Sequence, residues 1–375
     1  MVWSEMIYLV GTTGFPNYGD ELIAAAWLRY LAAAAPDTDV WLDCPHPGPA
    51  QMLLDGIHPR ARFTDTFWRL CWEAPGDGPW EKAGWVRRAM HRPAMACRWV
   101  AGIELAARAR IVHLIGGGYV NGIWPKHYGL LAAAVGAVER SGGRAVMTGQ
   151  GLWPAPDDAV PLIRELAACF ELADARDEPS ERLLGGATAA GRTGDDLLLG
   201  LGPHLCRPPG EELREVMLCL QSDLLEMPRP ALASFVTATM RAWGVTGDRI
   251  GVVEGIPGVD RVIFDLVEPY LPGMRFYPFA GVWANGLPAG PEQVWLSTRF
   301  HPHLVAAATG AAGVAVPVNP DYYSTKHRSL VDAGSGWALA EPPAVPERPS
   351  GSGFDPAALH ALQQGKAALA AKIYS

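Results

Sequence analysis

Apolar residues along this chain fall into short unbroken runs separated by longer segments in which they recur at helical spacing. That alternation predicts an α/β fold with parallel strands. Residues 6–10 (MIYLV) form the first such run, followed by a Gly-rich turn and a helix that begins near Asp20 or Glu21 and covers 22–35. Strands are expected again at 39–43, 111–115, 144–147 and 171–175, with helices at about 128–140, 161–169 and from 176 onward. The Pro- and Gly-rich stretch 203–212 has the composition of a linker, and beyond it the alternation restarts. Strands are expected there at 215–220, 249–254, 275–277, 293–297 and 313–318, and helices at 230–243, 259–270, 302–309 and 324–333. A long Ala/Leu helix at 355–373 follows a Pro/Ser/Gly connection. The pattern divides the chain into an N-terminal Rossmann-like domain (1–204), a C-terminal one (212–345) and a terminal helix (354–375) expected to pack back on the first domain. Residues 45–79 show no consistent period.

Composition narrows the class. With 375 residues, 49% hydrophobic and 19% charged, the chain has enough apolar material for two cores and too much for disorder. Its net charge of −8 gives no reason to expect nucleic acid as a partner. Arg, Asp, Gly and Pro interrupt every apolar run before it reaches membrane-spanning length. The start, Met1-Val2-Trp3-Ser4-Glu5, lacks the basic and apolar regions of a secretion signal, so a cytoplasmic location is expected. The six cysteines are scattered without metal-ligand spacing, which predicts reduced thiols and no metal site. Lysine is scarce, which singles out Lys126 and Lys326 in motif-dense loops. Residues 80–110 interleave Arg87, Arg88, Arg92, Arg98, Arg108 and Arg110 with apolar positions. Two readings stay open for this segment: peripheral contact with an anionic membrane surface, or a solvated face whose arginine stems lie on the core.

The chemistry-bearing residues cluster where the expected strands end. Ser297-Thr298-Arg299-Phe300-His301-Pro302-His303 joins a strand to a helix amino terminus, a place for an anion. The alternative is a structural ion pair at Arg299 with capping histidines, and His303 is expected to be structural. Arg176-Asp177-Glu178-Pro179-Ser180 repeats the arrangement. The loop Gly11-Thr12-Thr13-Gly14-Phe15-Pro16-Asn17-Tyr18-Gly19-Asp20-Glu21 has neither dinucleotide nor P-loop glycine spacing, and its acidic pair would repel phosphate. Two readings stay open: a loop suited to hydroxyls, or an N-cap with turn glycines. Gly116-Gly117-Gly118 leaves room for close approach, and Lys126-His127 and Gly149-Gln150-Gly151 follow on neighbouring loops.

Taken in order, these stretches, with Asp195-Asp196 and Tyr323-Ser324-Thr325-Lys326, resemble the polysaccharide pyruvyl transferase family over about residues 6–330. The resemblance implies two facing Rossmann-like domains, similar to the glycosyltransferase B architecture, with the site between them. It implies that Arg176, Arg299 and Lys326 hold the donor, phosphoenolpyruvate, with Ser180 at a helix amino terminus beside them. The donor's carboxylate and phosphate suit arginine forks. His301 is expected to protonate the enol methylene or to stabilise the cationic intermediate. Asp20 or Glu21 would take a proton from the acceptor hydroxyl. Asn17, Gly19, Gly117, Gly118, Lys126, His127 and Gln150 are expected on acceptor-side or cleft loops. The acceptor is a sugar, polysaccharide or glycolipid, and no metal or cofactor is required. One departure is Gln221, where many relatives place an arginine. A nucleotide-sugar-dependent glycosyltransferase, with Glu254 or Glu268 gripping a ribose, and a non-catalytic carbohydrate-binding relative are the competing expectations.

Overall fold

The computed structural model describes residues 6–185, 191–208 and 213–375. The five-residue start and the end of the expected linker, 209–212, lie outside the described residues. The chain forms two compact units. The first comprises the chain up to Phe15, Asp20–Gly200 and Gln364–Ser375, and the second comprises Pro16–Gly19 and Leu201–Gln363.

The first unit is built on a six-stranded parallel sheet of β1 (Met6–Val10), β2 (Asp39–Asp43), β3 (Ala61–Thr64), β4 (Ile111–Leu114), β5 (Arg144–Gln150) and β6 (Leu172–Ala175). The strand order is β3-β2-β1-β4-β5-β6. Every residue of β1, β4 and β6 is buried, as parallel strands covered on both faces must be. The unreadable stretch 45–79 contains a helix Pro47–Leu54, the edge strand β3 and a helix Thr66–Glu73. None of the residues of β3 is fully buried, so it offers no apolar run to find. Buried Asp43 ties this region down, accepting from Tyr8 Oη at 2.5 Å and from the Phe67 amide at 2.8 Å. The basic segment from 80 is three helical pieces, Pro79–His91, a 3-10 turn Pro93–Trp99 and Val100–Ala106. Pro93 cannot donate to the preceding turn, and it holds Arg92 outside helical geometry at φ −129°, ψ 74°.

The second unit repeats the plan with β7 (Val216–Cys219), β8 (Ile250–Val253), β9 (Arg275–Tyr277), β10 (Val294–Ser297), β11 (Ala312–Ala315) and β12 (Ala338–Leu339). Its order, β12-β11-β10-β7-β8-β9, is the same doubly wound topology as the first, and all pairs are parallel. A helix Phe279–Asn285 and the two-residue β12 were not expected from the pattern. Among the described residues, no helix is long and apolar enough to cross a membrane.

Candidate functional site

In a sheet ordered 3-2-1-4-5-6, the chain leaves the first and fourth strands in opposite directions, and the gap between their carboxyl ends is where such folds bind ligands. In the second unit that gap lies between β7 and β10. The loop after β10 is the Ser297–His303 motif, and the loop after β7 carries Gln221 and Asp223. Thr298 Oγ1 stitches the two loops together, accepting from the Gln221 amide at 2.8 Å. Ser297 Oγ donates to the Arg299 carbonyl at 2.8 Å and fixes the turn into the helix Phe300–Ala308.

Arg299 is 7% exposed and enclosed by two carboxylates. Its Nε donates to both oxygens of Asp260 at 3.2 and 3.3 Å. Its Nη2 reaches Asp223 Oδ1 at 2.8 Å and Nη1 reaches Asp223 Oδ2 at 3.5 Å. Asp260 is buried and also accepts the Gly255 and Ile256 amides at 2.8 and 3.1 Å, so its orientation is fixed. Asp223 leaves 37% of its side chain exposed. Burial pulls the Arg299 pKa down, but Asp260, Tyr323 and Asp223 outweigh it and hold the guanidinium above its ordinary value. The structure shows Arg299 in the ion pair that was the alternative expectation. One edge is held by a permanent partner, the other by a half-exposed one.

His301 occupies the first turn of the same helix and packs on Gly19. A Cβ at Gly19 would lie 1.6 Å from His301 Nδ1. Asn17 and Gly19, expected on acceptor-side loops, belong to the second unit. There the Tyr18 amide donates to the Gly255 carbonyl at 2.9 Å, and the Gly19 amide to Asn17 Oδ1 at 3.3 Å. Lys326 lies half-buried with Nζ 3.6 Å from the Tyr322 ring centroid and 5.0 Å from that of Tyr323. Burial raises the Tyr323 hydroxyl to about 12. His303 behaves as the structural residue that was expected. It stacks on Trp337 at 4.2 Å and bonds Ser335 Oγ at 2.9 Å and His327 Nδ1 at 3.1 Å. Burial keeps His303 well below its ordinary pKa and takes His327 to about 4, so both are neutral.

The first unit places the remaining expected residues. Glu21 is fully buried, accepting from the Gly14 amide at 2.7 Å and from Thr13 Oγ1. It staples the turn after β1, which corrects its expected role as a proton acceptor; Asp20 is the half-buried carboxylate of the pair. Ser180, expected near the donor, has no capacity left. Its hydroxyl donates to Asp177 Oδ1 at 2.5 Å and accepts the Leu152 and Trp153 amides at 2.8 and 3.3 Å. Arg176 is buried beside Asp177 at 3.4 Å, its guanidinium filling the space where a Gly151 side chain would stand. Gln150 Nε2 turns inward to the Ile115 carbonyl at 2.8 Å. Gly117 has φ +151°, and Gly118 accepts from Asn121 Nδ2 at 2.9 Å. Lys126 is exposed; His127 bonds the Tyr119 carbonyl at 2.8 Å and is taken to about 4 by burial. In the basic segment, Arg87 and His91 both pair with Glu139, and Arg98 approaches Glu73 at 3.8 Å.

Sequence reasoning missed Asp223, Asp260 and His327. Asp260 precedes the helix Arg261–Val267 and Asp223 lies in an irregular loop, positions that carry no pattern signal.

A profile of the polysaccharide pyruvyl transferase family matches residues 17–320. No curated protein matches the sequence. Among solved structures, a glycosyltransferase from Rickettsia africae aligns over 99% of this chain and 90% of its own at 9% identity, TM-score 0.54. Anabaena HepE in complex with UDP aligns over 99% and 96% at 11% identity, TM-score 0.53. The UDP-GlcNAc 2-epimerase of Neisseria meningitidis, bound to UDP-GlcNAc, aligns over 99% and 94% at 11% identity, TM-score 0.50. At such identities the likeness establishes the fold, two Rossmann-like units of the kind found in glycosyltransferase-B-type enzymes.

Proposed function

The chain belongs to the polysaccharide pyruvyl transferase family, and on that premise we propose that it moves a pyruvyl group from phosphoenolpyruvate onto two hydroxyls of a sugar or glycoconjugate, forming a ketal and releasing phosphate. The observation that carries the reading is the loop after β10, which presents the Arg299 fork and an imidazole held against a glycine; Lys326, on the helix Thr325–Asp332, supplies an ammonium beside Tyr322 and Tyr323. Arg299 takes the planar carboxylate, and Lys326 meets the phosphate as a point charge. His301 gives a proton to the methylene carbon, which becomes the methyl group. The central carbon, then electron-poor, is attacked by one acceptor hydroxyl. Phosphate leaves with its bonding pair, and the second hydroxyl closes the ketal. Of the two hydroxyl protons released, one replaces that given to carbon and the other leaves with phosphate. Asp20 is the acceptor-side base. The scheme asks for no metal or cofactor, and a glycolipid acceptor would bring the basic segment at 80–110 to a membrane surface.

A nucleotide-sugar reading would need a carboxylate for the ribose. Of the two candidates, Glu254 is already committed, accepting the Gly258 amide at 2.7 Å and the Phe279 amide at 2.9 Å, which leaves Glu268, half-buried on the turn Glu268–Tyr270. The test is incubation with phosphoenolpyruvate and a panel of glycan acceptors, following free phosphate and a mass gain of one pyruvate less water. His301→Ala should lower turnover by at least ~100-fold. Thermal stabilisation by uridine diphosphate and none by phosphoenolpyruvate would overturn the reading.

A further inference from the structure

The first unit holds a buried charge cluster to which the proposed chemistry gives no part. Lys366, on the C-terminal helix Pro356–Tyr374, is fully buried with Asp174 and Asp196. Its ammonium donates to Asp196 Oδ1 at 2.9 Å, Asp174 Oδ2 at 3.0 Å and the Gly194 carbonyl at 2.8 Å, using all three protons. Asp196 Oδ2 accepts the Gly116 amide at 2.7 Å, Trp27 Nε1 at 2.6 Å and Thr148 Oγ1 at 2.5 Å. Asp174 accepts the Gly149 amide at 2.9 Å and both the amide and hydroxyl of Thr193 at 2.7 and 2.8 Å.

Gly116 opens the glycine run after β4, and Gly149 lies at the matching bend of β5. A side chain at Gly116 would meet Asp196 at 2.8 Å, and one at Gly149, where φ is +54°, would meet it at 2.5 Å. The space kept open by those two glycines is therefore filled by a carboxylate, and the loops rest on it. Removing three charges from water is costly, and an apolar cluster of equal volume would serve stability as well or better. What an apolar cluster lacks is acceptors for two loop amides that point inward.

We propose that Lys366 is a positioning residue: by neutralising Asp174 and Asp196 it fixes the loops after β4 and β5, Gly116–Gly118 and Gly149–Gly151, in the form that receives the acceptor. Only the last clause rests on the proposed function; the positioning itself does not.

The test is hydrogen exchange and kinetics on Lys366→Met. In case this variant does not fold, Lys366→Met/Asp174→Asn leaves one carboxylate where one ammonium faced two, preserving the net charge. In either protein, exchange in peptides spanning 115–118 and 148–151 should quicken at least about tenfold while the peptide spanning 297–301 is unchanged. Acceptor KM should rise, with donor KM unaltered. Unchanged exchange in the two loops, or equal acceleration throughout the chain, would overturn the positioning role. Local acceleration in a protein whose wild type transfers no pyruvyl group would sustain the positioning role and sink the function proposed above.

Discussion

Gly19→Ala is the sharpest probe of the second unit's site, because the glycine is required by one identified group. A Cβ there would stand 1.6 Å from His301 Nδ1, 2.2 Å from Cγ and 2.4 Å from Cε1, inside the imidazole itself. Gly19 lies in the first turn of the helix Tyr18–Ala34 without a positive φ, so the backbone accepts alanine and helix propensity even favours it. Any loss is then attributable to the imidazole, which must leave its place. Forcing extra volume into a packed site costs about 1–3 kcal/mol. If His301 is the proton donor, displacing it should also cost on the order of 100-fold in turnover. Urea denaturation and a phosphate-release assay read the two effects separately. In Gly19→Ala/His301→Ala the methyl enters the volume left by the ring. Stability should recover by about 1 kcal/mol or more through coupling between touching residues, while activity stays low. Gly19→Ala with wild-type stability and turnover would refute the packing. Destabilisation that persists in the double variant would show that the clash is not with His301.

Asp223→Ala should uncover the exposed edge of the Arg299 fork. A half-exposed ion pair is worth about 0.2–1 kcal/mol, so donor affinity should rise by up to about fivefold in a calorimetric titration, and weaker binding would count against competition. Ser180→Ala orphans the buried Leu152 amide and the part-buried Trp153 amide and should cost about 1–3 kcal/mol in denaturation while donor affinity stays the same; lost donor affinity would restore it to the site. The pH profile of stability should carry the signature of histidines buried neutral. His327 titrates near 4 when folded and near 6.5 when unfolded, so its contribution is full above about 6.5 and is lost as pH falls toward 4. About 2 kcal/mol of it is lost by pH 5. Asp43, taken to about 7 by burial, works in the opposite direction, so the His327 share is read as wild type minus His327→Gln. Equal pH slopes for the two proteins would refute it.

The central strands were legible because burial on both faces writes them as apolar runs. β3 and β12 were not, because edge strands with partial exposure leave no such mark. Arg299 and His301 could be found from their place between a strand and a helix amino terminus. Their partners could not: Asp260 and Asp223 are 39 and 76 positions away from Arg299, and only folding brings them together. Glu21 shows the converse failure. An acidic residue in a first helical turn has the same local pattern whether it faces substrate or, as here, folds back on its own loop. Lys366 sits in an Ala-rich helix where a lysine ordinarily marks the solvated face. Lysine's scarcity in the chain is a usable signal, but it marks Lys366 no more than Lys126 and Lys326.

The two carboxylates on Arg299 bear on selectivity. With both in place the Arg299 guanidinium is already neutralised, so a carboxylate reaching it has to displace Asp223. Asp260 has reason to stay, since it is buried and bonded to two amides. Asp223 is the partner that can be exchanged. A mono-anion that replaced it would trade one carboxylate for another and gain almost nothing. Under the proposed function, a donor carrying both carboxylate and phosphate would add attraction to Lys326. On that proposal, selection for a doubly anionic small molecule would follow from competition with a resident carboxylate, without a pocket shaped to exclude single anions.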